Sequence, residues 1–155
     1  MRLELTIPAV PVAQPRPRAT MAGKHARVHE QTYIKGDKAT GRESRPHPIV
    51  AFKATVAQVV SQAYTGPPIN QPMRVLITCV FPRPANKRWK KKPMPREPYT
   101  SRGRNDWDNL GKSVCDALNE VVWVDDGLIW DGRVIRLIAA GDEQPHVELV
   151  IETTD

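Results

Sequence analysis

Apolar and polar positions divide this chain into strand-like, helical and purely polar stretches. Leu3, Leu5 and Ile7 alternate with Arg2, Glu4 and Thr6, the period of a strand with one buried face, and Pro8 ends it. Pro48 suits the first turn of a helix, and Ile49, Phe52, Val56, Val59, Val60 and Ala63 follow at helical spacing until Gly66-Pro67-Pro68 stops the pattern. Met73 to Phe81 is nearly all apolar and β-prone, which predicts a central strand covered on both faces and closed by Pro82. Leu110, Val114, Ala117 and Leu118 share one helical stripe and predict a second helix over 109–119, with Asp108 or Asn109 suited to its N-cap and Asn119 to its stop. Val121 to Val124 is short, β-branched and aromatic, as a buried strand would be, and Asp125-Asp126-Gly127 terminates it. Leu128 to Trp130 reads as a turn or short helix. Arg133 to Ala139 and His146 to Glu152 read as two final strands, joined as an antiparallel hairpin through Gly141 to Pro145.

The order β-α-β-α-β-β-β gives an α+β fold, a mixed β-sheet with two packing helices. A length of 155 residues suits one domain with a real core, so 1–155 is read as a single unit with basic loops at 11–48 and 82–104. No apolar run reaches membrane-spanning length and the opening residues are unlike a signal peptide, so a cytoplasmic location is expected. Cys79 and Cys115 form no CxxC pair and read as small core thiols. No Ser/His/Asp arrangement and no phosphate-cradling glycine loop is present.

Charge changes the picture. The net +6 conceals a division, since residues 1–104 carry 20 Lys/Arg against 5 Asp/Glu and residues 105–155 carry 3 against 12. A basic half suits a polyanion, and an acidic half suits a metal; solubility alone is the plain alternative. In 11–48, Arg16 and Arg18 stand in a stiff proline-rich run, followed by Lys24 and Arg27, and the segment reads as a DNA-facing loop. His25 and His29 have a metal spacing only if helical, and no helix is predicted there. In 82–104, Lys87, Arg88, Trp89, Lys90, Lys91, Lys92, Arg102 and Arg104 surround five prolines, and Trp89 and Tyr99 could stack on an unpaired base. The alternative is a disordered tether whose aromatics pack locally.

The chemistry concentrates after this segment. If the second helix packs back on a strand at 121–124, Asp125 or Asp126 approaches Asp106 and Asp108. Gathered carboxylates repel one another and call for a cation, and oxygen ligands select a hard one, Mg²⁺ or Mn²⁺. Lys112, one helical turn beyond Asp108, could hold a phosphate oxygen or the attacking water. Its alternative is an i,i+4 ion pair with Asp116, and the alternative for the aspartates is a cap and a turn.

The strings Asp106-x-Asp108-Asn109-Leu110-x-Lys112, Asp116-Ala117-Leu118-Asn119 and Trp123-Val124-Asp125-Asp126 resemble the RusA-type Holliday junction resolvases, many of them carried by phages and prophages. The likeness is close over this stretch and looser over the opening strand and the last two. It implies a RusA-like fold in which Asp106, Asp108 and Asp126 are the metal-binding catalytic carboxylates and Lys112 is the catalytic lysine. Asp125 would support its neighbour or serve as a spare ligand. It further implies a Mg²⁺-dependent homodimer that nicks four-way DNA junctions symmetrically, in recombination and repair inside a bacterial cell. Gly127-Leu128 departs from the polar residues usual after the aspartate pair. Two rivals stand beside this reading: a metal nuclease for flaps or forks, and a DNA-binding module without catalysis.

Overall fold

The computed structural model describes residues 1–22, 24–29 and 32–154; the side chains of Arg18, Thr20 to Ala22 and Ala26 to His29 fall outside that description. In chain order the elements are β1 (Arg2–Ile7), β2 (Arg18–Ala22), β3 (His25–His29), β4 (Tyr33–Ile34), β5 (Arg45–Pro46), α1 (Pro48–Ala63), β6 (Met73–Phe81), β7 (Glu97–Pro98), α2 (Trp107–Leu118), β8 (Ile129–Ile138) and β9 (His146–Thr153). The fold is α+β. Five strands form a mixed sheet in the order β1-β9-β6-β8-β7, and α1 and α2 pack on each other and on one sheet face.

The local patterns act as expected for β1, β6, α1 and β9. Nine residues of β6 take the middle of the sheet as expected, but cover on both faces holds only from Ile77 to Phe81, since Arg74 is exposed and Leu76 half-buried on the face opposite the core. Its Met73, Val75, Ile77 and Cys79 meet Val56 and Val60 of α1, Leu110, Val114 and Leu118 of α2, and Val147, Leu149 and Ile151 of β9 in one core. Both cysteines are free; burial pushes the Cys79 thiol up to about 12, in keeping with a core residue. The first helix starts as its proline predicts, and His47 caps it: Nδ1 accepts the Ile49 N–H at 3.1 Å.

Three expectations fail. Residues 121–124 are a turn, not a strand: Glu120 takes a left-handed φ of 64°, and its N–H reaches the Trp123 carbonyl at 2.7 Å. The turn plugs Val122 and Trp123 into the core, the indole N–H donates to Asn119 Oδ1 at 2.7 Å, and Trp123 makes isolated bridges to Ile69 and Asn119 in place of a ladder. Burial, which the apolar run demanded, is thus met without a ladder. Ile129 and Trp130 join β8 rather than a turn, although Leu128 closes a short 3-10 turn from Asp126. Finally, β8 and β9 do not form a hairpin. Each pairs with β6, β8 in parallel and β9 antiparallel, so the central strand is bonded along both of its edges.

The two basic loops carry more structure than their composition suggests. The 11–48 segment contains a β2–β3 ladder and a β4–β5 pair. His25 and His29 lie in β3, so the i,i+4 helical spacing does not arise. The 82–104 segment is built around Arg83, which is only 3% exposed. Its guanidinium donates to the carbonyls of Ala139 (2.8 Å), Lys87 (3.2 Å) and Pro95 and to Glu97 (3.2 Å). A planar five-donor fork can satisfy several backbone oxygens that prolines leave without partners, so one buried arginine substitutes for a hydrophobic core.

Candidate functional site

The second helix begins at Trp107, with Asp106 as N-cap; Asp108 and Asn109, the two expected caps, fall in its first turn. The backbone reaches Asp106 through two left-handed residues, Gly103 at φ 70° and Asn105 at φ 51°. Glycine and asparagine are the residues that take this conformation at least cost. Asn105 is held in it: Nδ2 donates to the Tyr99 hydroxyl at 3.1 Å, and its carbonyl accepts from Arg136 Nη1 at 2.9 Å. Tyr99, expected to stack on a base, instead stacks on Phe81 at 4.2 Å, so it is part of the scaffold that aims Asp106. The other side of the cleft is set by Gln14, whose N–H binds the Asn109 carbonyl at 2.8 Å.

Asp106 is partly exposed, and its Oδ2 lies 3.3 Å from Arg16, itself 83% exposed. Asp108 is exposed and, among the described residues, has no hydrogen-bonded or ionic partner. Lys112 is exposed one turn further along the same face. The i,i+4 pair with Asp116 does not form, since Asp116 Oδ2 faces Lys53 of α1 at 3.4 Å. Among the described residues Lys112 therefore remains uncommitted.

Asp126 is positioned by Asp125, whose Oδ1 accepts the Gly127 N–H at 2.7 Å and fixes the turn. Because 121–124 is a turn, Asp126 does not arrive at the helix start by the expected route. It lies near Cys115, whose thiol is pushed up to about 12 by burial and then by the charges of Asp126 and Asp116. Asp108, Gly111 and Cys115 share a helix face, and the seven steps from Asp108 to Cys115 span roughly 10 Å at about 1.5 Å per residue. Gly111 keeps this face tight: a Cβ there would come within 2.9 Å of Val134 Cγ2 on β8. The carboxylates of Asp106, Asp108 and Asp126 do not close to within 4.8 Å of one another. Among the described residues the only three ligand groups that do are Glu143, His146 and Glu148.

That tighter cluster was not singled out from sequence, and it is already filled. Arg96 donates to both Glu143 and Glu148, Glu143 Oε2 also accepts the Ala140 N–H at 2.8 Å, and His146 Nε2 meets Glu148 at 3.1 Å. The side-chain hydrogen bonds from Arg96 hold the Glu143 and Glu148 carboxyls below their ordinary range. The group clamps the basic arm to the sheet.

The expected DNA contacts sort by how committed they are. Lys87 pairs with Glu97 at 2.9 Å, and Arg88 donates to the Arg83 carbonyl at 3.2 Å. Trp89 is 41% exposed, 6.0 Å from the Arg83 guanidinium. Lys90, Lys91, Lys92, Arg102 and Arg104 are exposed, as is Lys24 beside the β2–β3 turn. The side chains of Arg18 and Arg27 fall outside the described residues. Two residues near the carboxylates were missed in the sequence: His47, which lines the cleft with Arg16 and Asp106, and Trp107, 59% exposed between the two aspartates. A cap ahead of Pro48 was the available signal for His47; Trp107 carried none beyond its position.

The sequence profile of the RusA endodeoxyribonuclease family matches residues 8–152, and the chain belongs to that family. It is 29% identical over 152 residues to an uncharacterized protein, YqaN, of Bacillus subtilis (strain 168), covering 96% of this chain and 94% of that one. It is also 28% identical over 88 residues to the crossover junction endodeoxyribonuclease RusA of Escherichia coli O139:H28 (strain E24377A / ETEC), covering 56% of this chain and 58% of that one. Among the described residues no helix is long and apolar enough to cross a membrane.

Proposed function

We propose that the chain is a Mg²⁺-dependent Holliday junction resolvase that acts as a homodimer and makes paired, symmetric nicks, with residues 1–155 forming one endonuclease unit. The observation that carries this reading is the first turn of α2, where, among the described residues, Asp108 and Lys112 stand exposed and uncommitted beside an Asp106 opposed by one solvent-exposed arginine. Carboxylates left without internal cations suit an ion taken from solution, and their all-oxygen chemistry suits a hard one, Mg²⁺ or Mn²⁺. Asp106 and Asp108 would hold it, with Asp126 as the further carboxylate and Asp125 keeping the Asp126 turn in shape. Such an ion polarises the scissile phosphate and eases deprotonation of the attacking water. Lys112 neutralises charge that develops on the phosphate oxygens, and Arg16 exchanges Asp106 for a DNA phosphate. Lys90 to Lys92, Arg102 and Arg104 bind duplex arms through their backbones.

Two nicks need two sites, and one chain carries one α2 start. A twofold dimer supplies the second, with the β1 edge of the sheet as a candidate contact because its outer backbone groups lack a strand partner among the described residues. The test is incubation of the purified protein with a labelled four-way junction, with Mg²⁺ and with EDTA, alongside flaps and forks. Paired nicks on the junction that EDTA abolishes are expected; preferential cutting of flaps or forks, or binding without cutting, would replace this reading by one of its rivals.

A further inference from the structure

We propose that His47 is a substrate-positioning residue: its Nε2–H donates to a non-bridging oxygen of a DNA phosphate seated in the cleft beside Asp106. The proposal rests on the nuclease reading and adds a residue to it. The cleft is lined by Arg16, His47, Arg104, Asn105, Asp106 and Asn109. Two of these are cations and one is an anion, so the site favours an anionic ligand, and Asp106 places that ligand next to the carboxylates. His47 joins it from a different element, the start of α1. Because Nδ1 accepts the Ile49 N–H, that nitrogen is unprotonated, and a neutral ring then carries its proton on Nε2. The cap therefore fixes the tautomer and leaves one donor, which has no partner among the described residues. A tethered, neutral donor supplies direction where the exposed arginines supply charge. This role involves no proton transfer: a ring whose Nδ1 is committed as an acceptor acts as a hydrogen-bond donor throughout.

Capping and substrate binding can be separated. His47→Ser retains an oxygen that caps α1 but removes the Nε2–H, whereas His47→Ala removes both. His47→Ser should melt close to the wild type yet bind the four-way junction about tenfold or more weakly, the loss expected for a hydrogen bond to a charged oxygen. His47→Ala should also lose stability. Junctions carrying a single neutral methylphosphonate, scanned across the phosphates around the cut site, identify the contact. Wild-type protein should lose affinity at one position at which His47→Ser shows little further loss, since the two changes remove the same interaction. Equal affinity of wild type and His47→Ser, or a methylphosphonate penalty that persists unchanged in the variant, would overturn the proposal. A wild-type protein that neither binds nor cuts branched DNA would instead sink the nuclease reading, and this inference with it.

Discussion

Two groups of acidic side chains sit on this fold, and the tighter one is not the candidate active site. Glu143, Glu148 and His146 converge within 4.8 Å, but Arg96 lies among them and satisfies both carboxylates. Asp106, Asp108 and Asp126 are spread along one side of α2, with Arg16 as the only ionic partner among the described residues. Convergence of ligands marks a metal site only when the molecule has not supplied its own cation. Where an arginine is built in, the carboxylates are structural; where the charges are left for solvent to neutralise, they remain available for chemistry.

Breaking the open group should have the largest effect. Asp106→Asn, Asp108→Asn and Asp126→Asn should each lower single-turnover junction cleavage by about a hundredfold or more while leaving binding intact or tighter, as removing negative charge near the phosphates requires. Lys112→Ala should also cut slowly, and Glu143→Gln should cut at the wild-type rate. Full activity in Asp108→Asn, or a dead Glu143→Gln that folds normally, would reverse the assignment of the two groups.

A smaller loss is expected from the arm that the filled group anchors. Replacing Lys90, Lys91 and Lys92 by serine should flatten the salt dependence of duplex binding by about 0.9 log unit for each lost contact. Neutralising Lys87 and Arg88 should act mainly through stability, because Glu97 and the Arg83 carbonyl already engage them. Titrations over a range of salt concentrations distinguish the two sets.

Arg96→Ala tests the clamp itself. It leaves two carboxylates and a histidine facing one another, and solvent screening limits the cost to about 1 kcal/mol, measurable by chemical denaturation. The same clamp gives the smallest effect, in acid. Arg96 holds the Glu143 and Glu148 carboxyls below their ordinary value of 4.5, so at low pH the unfolded chain binds more protons than the folded one. Their contribution is therefore complete above about pH 4.5 and disappears as pH falls through the depressed folded values. A Glu143→Gln, Glu148→Gln double variant should show a shallower decline of melting temperature below that pH than the wild type.

The elements whose patterns are local were legible in the chain. Pro48 and the apolar spacing after it place α1, the Leu110–Leu118 stripe places α2, and the unbroken run from Met73 to Phe81 places the central strand. Family membership was legible too, because a resemblance in residue type and spacing needs no coordinates. Pairing was not. That β8 and β9 flank β6 instead of each other depends on which strand edges are free once the core has formed. The apolar run at 121–124 demanded burial but could not specify whether a ladder or a turn would provide it, and with that choice went the position of Asp126. The charge division was legible in number and not in meaning. Arg2, Arg16, Lys53, Arg74 and Arg96 of the basic half pair with Glu152, Asp106, Asp116, Asp131 and Glu143 of the acidic half. Part of what composition offers as a footprint for DNA is thus paired with the protein's own carboxylates, and only tertiary structure decides which cations remain uncommitted, because an ion pair depends on distance in space and not on position in the chain.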